Sequence, residues 1–155
     1  MGCKRRLWAL TGRIQNPRAC RRILGDQLMS HPAYYNLIQF TPNLIREEAC
    51  NIGVILCSEK LALFIWQITD DDTRARTFFP HVSAKTFTEA IYTCTQNLHY
   101  WQTLENAERF HLAKQQFPSP HIRLSPSRTT RLSQDPNIKL QTLFNSLVLS
   151  PKGEP

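Results

Sequence analysis

The chain lacks any long apolar run. Its longest uninterrupted apolar stretch covers residues 61–66, whereas a membrane-spanning helix requires about 20 such residues. The basic start of the chain is followed by only four apolar residues, 7–10, which is too few for the apolar core of a secretory signal. We therefore expect neither a transmembrane helix nor a secretory signal.

Cysteines are few and form no close C-x-x-C pair. They are odd in number, and three of them lie inside apolar segments, where a free thiol packs as a small apolar side chain. This usage favours a reducing compartment, and we expect a cytoplasmic protein. The five are Cys3, Cys20, Cys50, Cys57 and Cys94.

Catalytic motifs are missing as well. The sequence has no glycine-rich phosphate loop, no G-x-S-x-G elbow and no H-E-x-x-H zinc motif. Its histidines are scattered over different predicted elements, and Cys50 is interpreted as a buried, inert thiol. The sequence therefore assigns no catalytic residue, no cofactor and no metal site.

Positive charge is present but unevenly distributed. The formal net charge is +7, and residues 1–28 hold seven basic side chains against Asp26 alone. We interpret residues 1–28 as a basic extension, either disordered or lying upstream of the translated protein, because it lacks sustained apolar periodicity. Residues 29–150 are predicted to form one domain, followed by a tail of residues 151–155.

The domain is predicted to open with three strands. Residues 34–41 are aromatic and β-branched and end at Pro42, which cannot donate to a strand ladder. Residues 51–58 are apolar on both faces, and a tight turn at Glu59 and Lys60 leads into the apolar residues 61–68. These strands predict an antiparallel β-meander.

Helices follow the meander. Ser83 is a plausible N-cap of a long amphipathic helix reaching Trp101, and a shorter helix is predicted over residues 104–116. Residues 121–124 predict a short extra strand, and Asp135 caps a last helix that extends to Val148. The fold class is therefore α+β: a meander and a short extra strand packed against about three helices.

Two sequence blocks carry a family resemblance. The first is Arg46-x-Glu48-x-x-Asn51-x-Gly53-Val54, and the second runs from Phe117-Pro118 through Leu124-Ser125-Pro126-Ser127-Arg128 to Asp135-Pro136, Leu143-Phe144 and Leu147-Val148. In their order and spacing these blocks resemble the bacterial family called domain of unknown function 3037. The resemblance implies a small bacterial protein without an assigned reaction, sometimes encoded beside HipA-like kinases.

The first block supplies one candidate site. Arg46, Glu48 and Asn51 could converge at one end of the sheet to bind an anion or a partner's side chain, and Gly53 would permit close approach of a ligand or another backbone. The alternative is that these polar groups only organise the bend. Family members often have a small residue such as glycine where this chain has Glu47, and the larger side chain disfavours a tight turn there.

The second block supplies another candidate site. Arg123, Ser127, Arg128 and Arg131 are predicted to lie in a donor-rich loop that can bind a phosphate or an acidic partner. The alternative is a solvated connector. We expect this loop to approach the bend of the first block.

Three functions remain open from the sequence. We favour a non-catalytic accessory domain that binds a partner protein, of which a HipA-like kinase is one candidate. A nucleic-acid-binding protein that uses residues 1–28 is the second. A metal-dependent phosphodiesterase that uses Glu48 with Asp70, Asp71 and Asp72 is the third, although no histidine or lysine accompanies these acids at a characteristic spacing.

Overall fold

A computed structural model describes residues 30–43, 45–105 and 120–149. The predicted basic extension (1–28), nearly all of the predicted helix over residues 104–116 and the tail (151–155) lie outside these residues. The described part contains the predicted antiparallel meander, formed by β1 (His31–Phe40), β2 (Cys50–Ser58) and β3 (Leu63–Ile68). None of the described helices is both long and apolar enough to cross a membrane.

The turn between β2 and β3 is longer than predicted. It takes up residues 59–62, so that Leu61 and Ala62 belong to the turn and β3 begins at Leu63. Ala62 adopts a positive φ of 51°, and its backbone N–H donates to the carbonyl of Glu59 at 3.1 Å. The apolar pattern placed the start of this strand two residues too early, because apolar residues can also lie in a turn.

Two further strands line the other side of β1. They are β4 (Ile122–Leu124) and β5 (Arg128–Leu132), and both pair antiparallel with β1. The prediction of a loop across Arg128 and Arg131 is therefore wrong: both lie in β5. Only Leu132 of β5 is buried, so the strand depends on backbone pairing with β1 and has no apolar alternation to reveal it.

The connector between β4 and β5 is a bulge. Tyr35 of β1 pairs with Arg128 and Ile38 pairs with Leu124, so two residues of β1 lie opposite the three residues 125–127. Pro126 fits here because a bulge residue has no ladder hydrogen bond to donate. β4 and β5 therefore behave as one interrupted strand along β1.

Three helices are described. They are α1 (Thr73–Phe78), α2 (Ala84–Thr103) and α3 (Pro136–Leu147). The predicted N-caps are confirmed, because Ser83 Oγ accepts from Thr86 N at 3.2 Å and Asp135 Oδ1 accepts from Asn137 N at 2.8 Å. The sequence did not predict α1, which is short and has a single buried residue.

The sheet lies between two helices. Helix α2 packs with α1 on one face, in a cluster that includes Phe40, Trp66 and Leu98. Helix α3 covers the other face through Leu140 and Phe144. This arrangement explains why β2 is apolar on both faces and confirms the predicted α+β class.

Candidate functional site

Several connections meet at one end of the sheet. Phe40, the last residue of β1, pairs with Cys50 at the start of β2 and with Ile122 at the start of β4. The bend that connects β1 to β2 leaves from this end, and Ile68 at the end of β3 pairs close by with Gly53. The first block of the sequence therefore lies at this sheet end.

Asn51 is the centre of a hydrogen-bond network at the sheet end. Its Oδ1 accepts from Gln39 Nε2 at 3.0 Å, and its Nδ2 donates to the backbone carbonyl of Leu147 at 3.1 Å. Arg123 extends the network, because its Nε donates to Gln39 Oε1 at 3.2 Å and its Nη2 to the carbonyl of Glu47 at 3.4 Å. Of the four residues assigned to the predicted loop, Arg123 thus contacts the bend.

The same network caps helix α3. The last carbonyls of a helix have no partner inside the helix and carry partial negative charge, and α3 has no basic residue in its last turn. Asn51 satisfies the carbonyl of Leu147, and Arg74 of α1 donates through Nη1 to the carbonyl of Val148. Two side chains from elsewhere in the fold thus supply the missing donors.

Arg46 and Glu48 form an exposed pair. Arg46 Nε lies 3.8 Å from Glu48 Oε1, and their side chains are 69% and 54% exposed. Such a surface pair contributes at most about 1 kcal/mol. The bend is shaped instead by Asn43 Oδ1, which accepts from the backbone N–H groups of Ile45 and Arg46, and by Glu47, which adopts a positive φ of 53°. A turn is therefore present although glycine is absent.

Gly53 has a packing role inside the sheet. A Cβ at this position would lie 2.7 Å from the carbonyl oxygen of Gln67 and 2.9 Å from a side-chain carbon of Ile68. The close approach predicted at Gly53 is therefore made by the neighbouring strand, β3.

The serines of the second block fix the β4–β5 bulge. Asn36 is 2% exposed, and its Nδ2 donates to the carbonyl of Ser125 at 2.9 Å and to Ser127 Oγ at 3.0 Å. Ser125 Oγ accepts from the backbone N–H of Leu37 at 2.8 Å. These bonds occupy the polar groups of the connector.

The arginines of the second block are spread along β1. Arg128 is opposite Tyr35, and Arg131 is opposite Pro32, where its Nη1 donates to Ser30 Oγ at 3.0 Å. Pro32 lies seven residues before Gln39 in β1, a separation of about 23 Å in a strand. Arg123 therefore belongs to the sheet end, whereas Arg131 lies towards the opposite end.

The acidic run after β3 has local partners. Asp71 Oδ1 accepts from Thr73 N at 2.9 Å and from Thr73 Oγ1 at 2.6 Å, and these bonds lower the pKa of Asp71. Asp72 Oδ2 lies 2.7 Å from Arg76 Nε. Among residues 30–43, 45–105 and 120–149, no group of three histidine, cysteine, aspartate or glutamate side chains is placed to hold a metal ion.

An open pocket of about 550 Å³, called the sheet-end pocket below, lies between α1 and the end of α3. Burial raises the pKa of the Cys50 thiol on its wall, and the nearby charge of Arg74 opposes that rise. The part of this wall that α1 contributes was not predicted from the sequence, because α1 itself was not predicted. The lining residues are Cys50, Asn51, Ile52, Thr69, Asp71, Thr73, Arg74, Ala75, Thr77, Phe78, Val148 and Leu149.

Comparison with known proteins identifies a family for this chain. The model of the family described as "Protein of unknown function (DUF3037)" matches residues 35–148. No curated protein and no solved structure shows a significant match. The match spans both sequence blocks, all three described helices and nearly the whole sheet.

Proposed function

The chain belongs to the DUF3037 family of proteins of unknown function, and from that premise we propose that it is a non-catalytic domain that binds an acidic, extended segment of a partner protein. The observation that carries the proposal is the open outer edge of β5. On its inner side β5 pairs with β1, and within the described ranges no strand pairs with its outer side. Such an edge offers a row of backbone donors and acceptors to an added strand.

The charge of this edge defines the chemistry of the partner. Arg128, Thr129 and Arg131 are exposed on β5. Successive residues of a strand point to opposite faces, so Arg128 and Arg131 flank the edge on both sides of the sheet. Carboxylates on an incoming strand would meet a guanidinium on either face. Arginines here also discourage pairing with a second copy of the same edge.

The internal use of the motif residues supports a non-catalytic role. Asn51 caps α3, Asn36 holds the bulge through Ser125, and Gly53 admits β3. The structural role of each of these residues explains why it is an asparagine or a glycine. A binding domain needs only this rigid frame and an accessible edge.

A HipA-like kinase is the partner to test first. The family resemblance points to such kinases as occasional genomic neighbours, and an acidic extended segment of the kinase would suit the β5 edge. Co-purification of the two proteins at low salt, followed by loss of the complex at high salt, is the expected result.

A peptide probe tests the edge directly. We expect a synthetic peptide that repeats Glu-Glu-Val-Val, and so presents carboxylates on both faces of a strand, to bind the full chain. Binding should be about tenfold weaker when Arg128→Glu and Arg131→Glu are combined. A variant that combines Lys60→Glu with Lys85→Glu makes the same change in net charge on exposed residues outside β5. If both double variants weaken binding equally, net charge and not the edge explains it.

Nucleic acid is the competing ligand in this test. Residues 1–28 carry most of the net charge, and a basic segment binds phosphates in a salt-dependent manner. A gel shift with duplex DNA compares the full chain with a chain that starts at Met29. Tight DNA binding that disappears on truncation, together with no binding of the acidic peptide, would replace the proposed function.

A further inference from the structure

The sheet-end pocket contains opposite charges that do not pair with each other. Arg74 and Asp71 both line it. Asp71 and Arg74 form no salt bridge with each other within 4.0 Å, in contrast to Arg46 with Glu48, Arg76 with Asp72 and Lys85 with Glu89. Opposite charges that line one cavity without pairing with each other can each interact with a ligand that carries both charges.

Arg74 is held in place and still has unused hydrogen-bond donors. Its Nη1 donates to the carbonyl of Val148, and its guanidinium carbon lies 5.7 Å from the centroid of the Phe78 ring. Among the described residues its Nε and Nη2 have no acceptor. A guanidinium that is already oriented loses little freedom on binding, and its planar donors match a carboxylate.

Asp71 is likewise fixed and ionised. Thr73 holds Oδ1 with two hydrogen bonds and lowers the pKa of the carboxyl. The structure gives Oδ2 no partner within the described ranges. Asp71 therefore presents a charged oxygen that suits an ammonium group and repels a simple carboxylate.

The remaining wall is largely apolar. The pocket includes Ile52, Val148, Phe78 and Leu149. Phe78 is 56% exposed and Leu149 is 36% exposed, so a ligand that covers them would remove apolar surface from water. A volume of about 550 Å³ lies within the usual range for small-molecule sites.

We propose that the sheet-end pocket binds a free apolar α-amino acid. Its carboxylate pairs with Arg74, its ammonium group with Asp71, and its side chain packs against Phe78 and Leu149. This site is separate from the β5 edge, so the failure of one proposal leaves the other standing.

Three ligands of one shape test the charge requirement by titration calorimetry on the full chain. Phenylalanine has both charges, hydrocinnamate has only the carboxylate, and phenethylamine has only the ammonium group. We expect phenylalanine to bind, and each of the other two to bind about tenfold more weakly, because each leaves one charged group unpaired. Equal binding of all three, or no binding of phenylalanine in the millimolar range, would overturn the proposal.

Two matched variants assign the charges. Asp71→Asn keeps an oxygen that can accept from Thr73, so the start of α1 is preserved. We expect this variant to bind phenylalanine more weakly. Its binding of hydrocinnamate should be unchanged or tighter. Asp72→Asn removes the same charge from a neighbour outside the pocket and is expected to bind phenylalanine normally. Loss of binding in Asp72→Asn alone would contradict the assignment.

The same logic applies to Arg74. Arg74→Gln should reduce phenylalanine binding, whereas Arg76→Gln on the same helix should not. Thermal unfolding of each variant shows whether the loss of the Arg74 bond to α3 has disturbed the fold. If Arg74→Gln is unfolded, the Asp71→Asn result and the three-ligand comparison decide the proposal without it.

Discussion

Asn51 donates its side-chain amide to the backbone carbonyl of Leu147, 96 residues further along the chain, at 3.1 Å. This bond fastens the end of α3 to the start of β2. Because Arg74 satisfies the adjacent carbonyl of Val148, the last turn of α3 is held from both the sheet and α1. The sheet end is therefore a structural junction as well as the wall of a pocket.

The first prediction concerns this junction. Asn51→Ala removes the cap on Leu147 and also leaves Gln39 Nε2 without its acceptor. We expect the free energy of unfolding to fall by about 1–2 kcal/mol, which is the usual effect of losing two partly buried hydrogen bonds. Urea unfolding at neutral pH measures the change.

The exposed pair on α3 supplies the control. Gln141 Nε2 donates to Asn145 Oδ1 at 2.8 Å on the helix surface, and Gln141→Ala should change stability by less than about 0.5 kcal/mol. Amide hydrogen exchange should quicken at the end of α3 in Asn51→Ala but not in the control. Similar losses of stability in both variants would mean that the Asn51 cap has no special role.

The second prediction concerns the β4–β5 bulge. Asn36→Leu replaces a buried amide by an apolar side chain and leaves the carbonyl of Ser125 without its side-chain donor. We expect a loss of about 2–3 kcal/mol, because an unsatisfied buried polar group costs more than a hydrogen bond contributes. Ser127→Ala removes only one partner of Asn36 and should cost clearly less. The order of the two midpoints in urea is the measurement, and a reversed order would contradict the role given to Asn36.

The third prediction concerns Gly53. Gly53→Ala places a methyl group 2.7 Å from the backbone oxygen of Gln67, and a backbone atom cannot move away as a flexible side chain can. We expect destabilisation of about 2–3 kcal/mol or a failure to fold, from overpacking between paired strands. Thermal unfolding or the yield of folded protein tests this. A stable Gly53→Ala variant would show that β3 can shift away from β2.

Most of the frame was predictable from the sequence because its elements bury apolar faces. The three strands of the meander and helices α2 and α3 each contain a continuous or periodic apolar pattern, and Ser83 and Asp135 mark the starts of the two helices. The short extra strand, β4, was also predicted. The match over residues 35–148 confirms the family resemblance.

The unpredicted parts have little apolar pattern. Strand β5 buries one residue and α1 buries one residue, so both depend on neighbours distant in sequence. The bond from Asn51 to Leu147 could not be predicted from the sequence either, because Leu147 accepts through its backbone carbonyl, which any residue would have. Because β5 was not predicted, Arg123 and Arg131, eight residues apart in the sequence, were grouped in one site. Their partners, Gln39 and Ser30, lie at opposite ends of β1.

The fourth prediction concerns the two residues with positive φ. Glu47 and Ala62 adopt φ values of 53° and 51°, a region in which a Cβ costs about 1–2 kcal/mol. Replacing either by glycine relieves this cost but increases the freedom of the unfolded chain, so we expect Glu47→Gly and Ala62→Gly each to stabilise the protein by about 0.5–1 kcal/mol. Glu59→Gly in the same turn as Ala62 has no positive φ to relieve and should destabilise slightly. A loss of stability in both Glu47→Gly and Ala62→Gly would refute this explanation.

The fifth prediction is a pH dependence from Asp71. Its pKa lies below the ordinary value of 3.8, first because of the side-chain hydrogen bond from Thr73 and then because of the backbone one. A carboxyl with a lower pKa in the folded than in the unfolded state binds fewer protons when folded. It therefore contributes stability above pH 3.8, and that contribution is lost as the pH falls through the folded-state pKa.

Carboxyl chemical shifts followed by NMR titration measure this pKa directly. We expect Thr73→Val, which removes the hydroxyl donor but keeps the backbone N–H, to raise the pKa of Asp71 towards 3.8. The same substitution should reduce the loss of stability in acid, because the folded and unfolded pKa values of Asp71 then lie closer together. An Asp71 carboxyl that titrates at its ordinary pKa in the unmodified protein would show that Thr73 does not hold it, and that the carboxylate facing the pocket is not fixed by the start of α1.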